Sequence, residues 1–107
     1  MKQFIMLLGA AIILVYCSTQ RYIPSSKEIQ LAQTQWEQAD STYLSKGNQL
    51  YELKCSGCHY LYKPKNYTID QWKKLLPEMK DKAKLTEEEY KTIKVYLFTR
   101  SQIEHSK

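Results

Sequence analysis

The chain is short of the residues that build most catalytic and metal sites. It has two histidines and three cysteines in 107 residues. One cysteine, Cys17, ends an N-terminal apolar run, while the other two cluster with a histidine as Cys55-Ser56-Gly57-Cys58-His59. Three clustered ligands fall short of the roughly four that close a structural zinc site. No Ser-His-Asp set, phosphate loop or pair of carboxylates stands out, and no element for reading a nucleic-acid groove appears. Nucleic acid is therefore excluded as a partner. Apolar runs are short as well: Phe4 through Tyr16 is almost wholly apolar but below the roughly 18 to 20 residues that span a bilayer. A chain of this length allows one small domain with limited apolar surface to bury and little room for a substrate pocket.

What is present begins with a leader. Met1-Lys2-Gln3 gives a short positive start, and the apolar run after it suits the h-region of a secretory signal, so export is expected. The run stops at Cys17, preceded by Leu14-Val15-Tyr16, which resembles a bacterial lipoprotein signal with Cys17 as the lipidated residue. Tyr16 stands where that pattern has a small residue, and the other reading of Cys17 is an ordinary apolar position in the leader. The expected organisation is a leader over residues 1–17, a polar tether over 18–26 and a domain over 27–107 with an additional N-terminal helix.

Two cysteines separated by two residues and followed at once by histidine, as Cys55, Cys58 and His59 are, read as a c-type haem attachment site. Both thiols bond the porphyrin, and the histidine ligates iron. Thioredoxin-like use of the pair would need a βαβ setting, which the helical pattern of this sequence does not offer. A thiol or metal module without haem stays as an alternative.

Helical signals surround that stretch. From Lys27, Ile29, Ala32, Trp36 and Ala39 fall near one face, with Ser25 or Ser26 available as a cap, and Trp36 is expected to pack on the core. A second helix is expected from about Tyr43 to Lys54, carrying Gly47 and Tyr51 four apart. Thr68 with Gln71 forms a capping box ahead of Trp72, Leu75 and Leu76, and Pro77 should end or kink that helix. Trp72 is assigned to core packing, with haem contact as the alternative. Thr86 with Glu89 caps a last helix whose Tyr90, Ile93, Tyr96 and Leu97 recur at helical spacing up to Arg100.

Gly47, Tyr51 and Cys55-Ser56-Gly57-Cys58-His59 together resemble the class I cytochromes c, in which a helix bearing a glycine and an aromatic residue leads into the haem motif. The resemblance covers about Tyr43 to Arg100. It implies an all-α fold, a small cytochrome c fold of three to five helices around one covalently attached haem c. It also implies that the last helix crosses the earlier one at Gly47, with Tyr96 or Leu97 against Gly47 and Tyr51. In that family the second axial ligand is a methionine between the haem motif and the last helix, which points to Met79; the other reading of Met79 is a core filler. His105, in a polar tail, is the weaker competitor. The family orients its histidine through a proline carbonyl, for which Pro64 is the nearest candidate.

The charge is formally +5, and lysines crowd the region of the motif: Lys54, Lys63, Lys65, Lys73, Lys74, Lys80, Lys82 and Lys84 stand against Asp70, Glu78 and Asp81. These lysines either ring the haem edge and steer acidic redox proteins or form a solvated surface. The expected function is one-electron transfer by haem c in the bacterial periplasm or on a membrane surface, in a respiratory chain. The chain is then a carrier, or a small electron-transfer subunit of a larger oxidoreductase, rather than an enzyme. It would be exported, at the periplasmic face, and held to the membrane through the leader or a lipid on Cys17. A five-coordinate haem sensor or peroxidatic protein is the other haem reading.

Overall fold

A computed structural model describes residues 21–56 and 61–106. Among the described residues, four α-helices, α1 (Ser26–Gln33), α2 (Ser41–Cys55), α3 (Ile69–Lys82) and α4 (Glu87–His105), occur with turns and one 3-10 turn at Pro64–Asn66. No strand occurs among the described residues. The expected all-α architecture is therefore the observed one.

Side-chain caps start each helix. Ser25, Thr68 and Thr86 each accept from a backbone amide three residues on, and Glu28, Gln71 and Glu89 reach back to close capping boxes. Asp40 caps α2 through the Tyr43 amide at 2.8 Å. Caps of this kind are each worth about 1 kcal/mol. The box at Ser25 and Glu28 fixes the start of α1, where the sequence offered only a choice of serines.

The helices gather on α4, which packs against α1, α2, α3 and the 3-10 turn. Ile93, Val95, Leu97 and Thr99 of α4 are almost fully enclosed, so this helix is covered on several sides instead of along one stripe. Its closest neighbour is α2. A Cβ on Gly47 would lie 2.6 Å from the Tyr96 Cβ and 2.7 Å from the Thr92 carbonyl oxygen, so only glycine permits this approach. The crossing implied by the family resemblance is thus present, with Tyr96 as the facing residue, and Tyr51 packs on the same side with its ring 6.2 Å from that of Tyr96.

Three expectations change. The first helix stops at Gln33, and the chain then turns, with the Trp36 amide donating to the Ala32 carbonyl, so that Trp36 meets Phe98 edge-on at 6.4 Å. The last helix runs five residues past Arg100, to His105. Pro77 neither ends nor divides α3, which continues to Lys82. Pro77 and Lys73 are both exposed, so the carbonyl deprived of its amide partner lies on the solvent side, while Trp72 and Leu76 hold the inner face.

The exit of α3 has its own device. Lys84 takes a positive φ of 54°, its amide donates to Asp81, and the Leu85 amide donates to the Lys80 carbonyl at 3.0 Å. This is a Schellman motif with lysine at the position glycine usually fills, and Leu85 is buried behind it.

Candidate haem-binding site

Cys55 is the last residue of α2, placed there by a helix whose glycine has already brought it against α4. It is half-buried and packs against the core cluster that contains Tyr51, Trp72, Leu76 and Leu97. Met79, on α3, is half-buried against the same cluster, as are Leu61, Tyr62, Tyr67 and Leu75. Cys55, Leu61 and Met79 therefore each pack on one core cluster. Gly57, Cys58, His59 and Tyr60 lie outside the described residues, as does Cys17.

The segment that follows the motif is tied down by its own backbone. Tyr51, one turn before Cys55, donates its hydroxyl to the Tyr62 carbonyl, joining the chain on either side of Cys58 and His59. Burial raises the Tyr51 phenol well above the usual range, and the nearby Cys55 and tyrosines add to it. Ser101 of α4 donates to the Tyr67 carbonyl at 2.6 Å. Trp72 is fully buried, and its indole N–H donates to the Pro64 carbonyl at 2.9 Å. Buried indoles require such an acceptor. Trp72 is therefore a core residue, and the carbonyl considered for orienting His59 is engaged by the indole.

The tyrosine carbonyls and Ser101 were not legible as site residues. Their bonds use backbone acceptors 11 and 34 residues away, and such pairings leave no local pattern.

The lysines divide into two groups. Lys54 pairs with Glu89 at 3.5 Å, Lys82 with Glu78 at 2.9 Å, and Lys80 with Glu87, whose hydrogen bond raises the Lys80 pKa. Lys63, Lys65, Lys73, Lys74 and Lys84 are exposed and form no ion pair among the described residues. His105 ends α4 exposed to solvent.

An all-helical fold that carries Cys55-Ser56-Gly57-Cys58-His59 at the end of a glycine-crossed helix defines a c-type cytochrome, a carrier of electrons on haem iron. Residues 51–107, just over half of the chain, match the family described as dihaem cytochrome c, and the chain belongs to that family. It is similar to the cytochrome c-type protein TorY of Haemophilus influenzae, at 37% identity over 60 residues, which is 55% of this chain and 16% of that protein. The chain thus spans under a fifth of the length of this relative. No solved structure matches it.

The family corrects one expectation. One covalent haem c was expected, whereas the family is one of two-haem proteins. The expectation rested on counting attachment motifs. Such a count registers only a haem held by two spaced thiols and an adjoining histidine, and a haem held in another way leaves no such mark.

Proposed function

We propose that the chain passes single electrons between proteins of a respiratory chain through haem c, from the periplasmic face of a membrane. Cys55 and Cys58 would hold haem through thioethers, and His59 and Met79 would ligate its iron. The observation that supports this reading is that Cys55 of α2 and Met79 of α3 are both half-buried against one core cluster, as are Tyr62, Tyr67 and Leu75. Apolar walls of that kind exclude water and suit a porphyrin, and a neutral thioether suits its iron. Bound there, haem would supply reversible one-electron oxidation, and the chain's own residues would enclose it and offer a docking rim.

The partners in this reading are redox proteins with acidic surfaces, met by the exposed Lys63, Lys65, Lys73, Lys74 and Lys84. The leader directs export, and lipid on Cys17 holds the domain to the membrane. No helix among the described residues is long and apolar enough to cross a membrane.

The test is expression with haem-attachment machinery, followed by a denaturing-gel haem stain and by absorption spectra of oxidised and reduced protein. Covalent haem and a low-spin spectrum with a thioether-to-iron band, lost in Met79→Ala, are expected. A chain without covalent haem defeats the reading. A high-spin wild type that binds carbon monoxide readily removes Met79 from it.

A further inference from the structure

A cleft of about 320 Å³ opens where the segment ahead of α1 meets α4 and the 3-10 turn, lined by Tyr22, Asn48, Lys63, Lys65, Tyr96 and Arg100. Its walls are rich in donors and poor in acceptors. Lys63 and Lys65 are exposed and form no ion pair among the described residues. Glu104 is the one carboxylate on the lining, and the Arg100 guanidinium engages it at 3.1 Å while also holding the buried Glu28. Tyr96, only 4% exposed, accepts from Asn48 Nδ2 at 2.8 Å, and its own hydroxyl hydrogen meets no acceptor among the described residues. A buried hydroxyl gains by finding an acceptor, and cations that converge with such a donor suit an oxyanion.

The place of the cleft in the chain points to the source of that oxyanion. Tyr22 forms one wall, packed edge-on to Tyr96 at 5.2 Å with the Arg100 guanidinium over its ring at 5.7 Å. It stands five residues after Cys17, and five residues of chain span at most about 18 Å. Lipid on Cys17 therefore keeps the cleft within that reach of phospholipid headgroups. Arg21 and Ile23, on either side of Tyr22, are both exposed. At 78%, Ile23 is the most exposed large apolar side chain among the described residues. A lone exposed isoleucine needs no explanation by itself. Next to a cationic cleft and close to a lipid attachment point it has one, since surfaces that lie on membranes combine an apolar side chain that enters the acyl boundary with cations that meet anionic headgroups.

We infer that this face rests on the membrane surface, with the phosphate of an anionic phospholipid in the cleft between Lys63, Lys65 and Arg100 and the Ile23 side chain at the acyl boundary. The partner is a lipid surface, recognised by its phosphate and its charge. The inference rests on the tethered reading of the N-terminal region. It also sorts the exposed lysines. Lys73, Lys74 and Lys84 lie outside the cleft and are left to acidic redox proteins while the face is docked; Lys63 and Lys65 join them when it lifts.

The experiment mixes the full chain with vesicles of phosphatidylcholine, or of phosphatidylcholine and phosphatidylglycerol in equal parts. Lysines are then labelled with a membrane-impermeant acetylating reagent and mapped by mass spectrometry. On the anionic vesicles labelling of Lys63 and Lys65 should fall about fivefold relative to the neutral ones, the ratio that one cation gains at an anionic surface. Lys46 and Lys91 are exposed and stand about half a turn away from Asn48 and Arg100 on α2 and α4, so they should be labelled equally on both. Ile23→Ser, at a position too exposed to disturb folding, should reduce the protection by about half, and salt at about 0.5 M should remove it. The tether and the docked face fail separately. A chain that does not sediment with neutral vesicles defeats the tether, and the protection is still read on the anionic ones. Equal labelling of Lys63 and Lys65 on both compositions overturns the inference with the tether intact. Inorganic phosphate that protects them as well without vesicles assigns the cleft to a soluble oxyanion and overturns it too. So does protection that grows with protein concentration in the absence of lipid, the mark of a second copy on this face.

Discussion

Gly47 shows at the scale of one residue how sequence places a site. Its missing side chain lets α2 approach α4 closely enough to set Cys55 at the edge of the core. The alanine methyl would meet the Tyr96 Cβ and the Thr92 carbonyl, and neither is the free end of a flexible side chain. Gly47→Ala is expected to destabilise the fold by about 2 to 3 kcal/mol, since strain outweighs the helix propensity gained; urea unfolding monitored by circular dichroism measures it. Lys84 presents the opposite case. Its positive φ costs a β-carbon-bearing residue about 1 to 2 kcal/mol, part of which glycine returns through its floppier unfolded chain. Lys84→Gly should therefore raise stability by about 0.5 to 1 kcal/mol in the same assay. Glu28 gives a pH dependence. Burial by itself would raise its pKa, but the Ser25 amide and Arg100 outweigh that and hold it below its ordinary 4.5. A depressed folded-state pKa means that this contribution is complete above the ordinary value and is lost as pH falls through the lower one. Thermal melts should thus show stability declining below about pH 4.5, and Glu28→Gln should make that decline shallower.

At the scale of elements, the helices were legible where their signals are local and illegible where tertiary contacts decide. The capping boxes at Thr68 and Gln71 and at Thr86 and Glu89 were read directly, because all their partners lie within three residues. The end of α1 was not, since Trp36 and Ala39 point inward equally well from a continued helix and from the turn that is observed. Periodicity reports which residues are buried and leaves the path between them open. Cys55 and Met79 are candidates proposed from spacing and order, whereas the Glu28–Arg100 pair joins positions 72 residues apart and has no sequence signature. Pro77 marks a conflict between local preference and packing. It sits inside α3 at the expense of one backbone hydrogen bond, with Trp72 and Leu76 anchoring the helix on its inner side. Pro77→Ala should restore that bond and stabilise the domain by about 1 to 3 kcal/mol, measured by chemical unfolding. A destabilised variant would mean that α3 depends on a bend at this proline.

At the scale of the whole molecule, the formal charge of +5 is unevenly spent, and ion pairing identifies the part left to act at a distance. Lys54, Lys80 and Lys82 are each held against a glutamate, so their fields are largely cancelled. Lys63 precedes the 3-10 turn after the motif and Lys65 lies within it, and Lys73 and Lys74 lie on α3 ahead of Met79, all of them exposed. A cationic surface of this kind raises encounter rates with anions and loses its effect as salt shortens the range of the field. Hexacyanoferrate, a small anionic oxidant, tests this without any knowledge of the biological partner. Stopped-flow oxidation of the reduced haem protein should slow as ionic strength rises. Replacing Lys63, Lys65, Lys73 and Lys74 together by glutamine should lower the low-salt rate about tenfold and flatten the salt dependence. Replacing Lys82 and Glu78 together by glutamine should change little, because the pair is removed without altering the net charge. Equal slopes for the fourfold variant and the wild type would place the reacting edge elsewhere on the surface and leave these lysines as solvating groups.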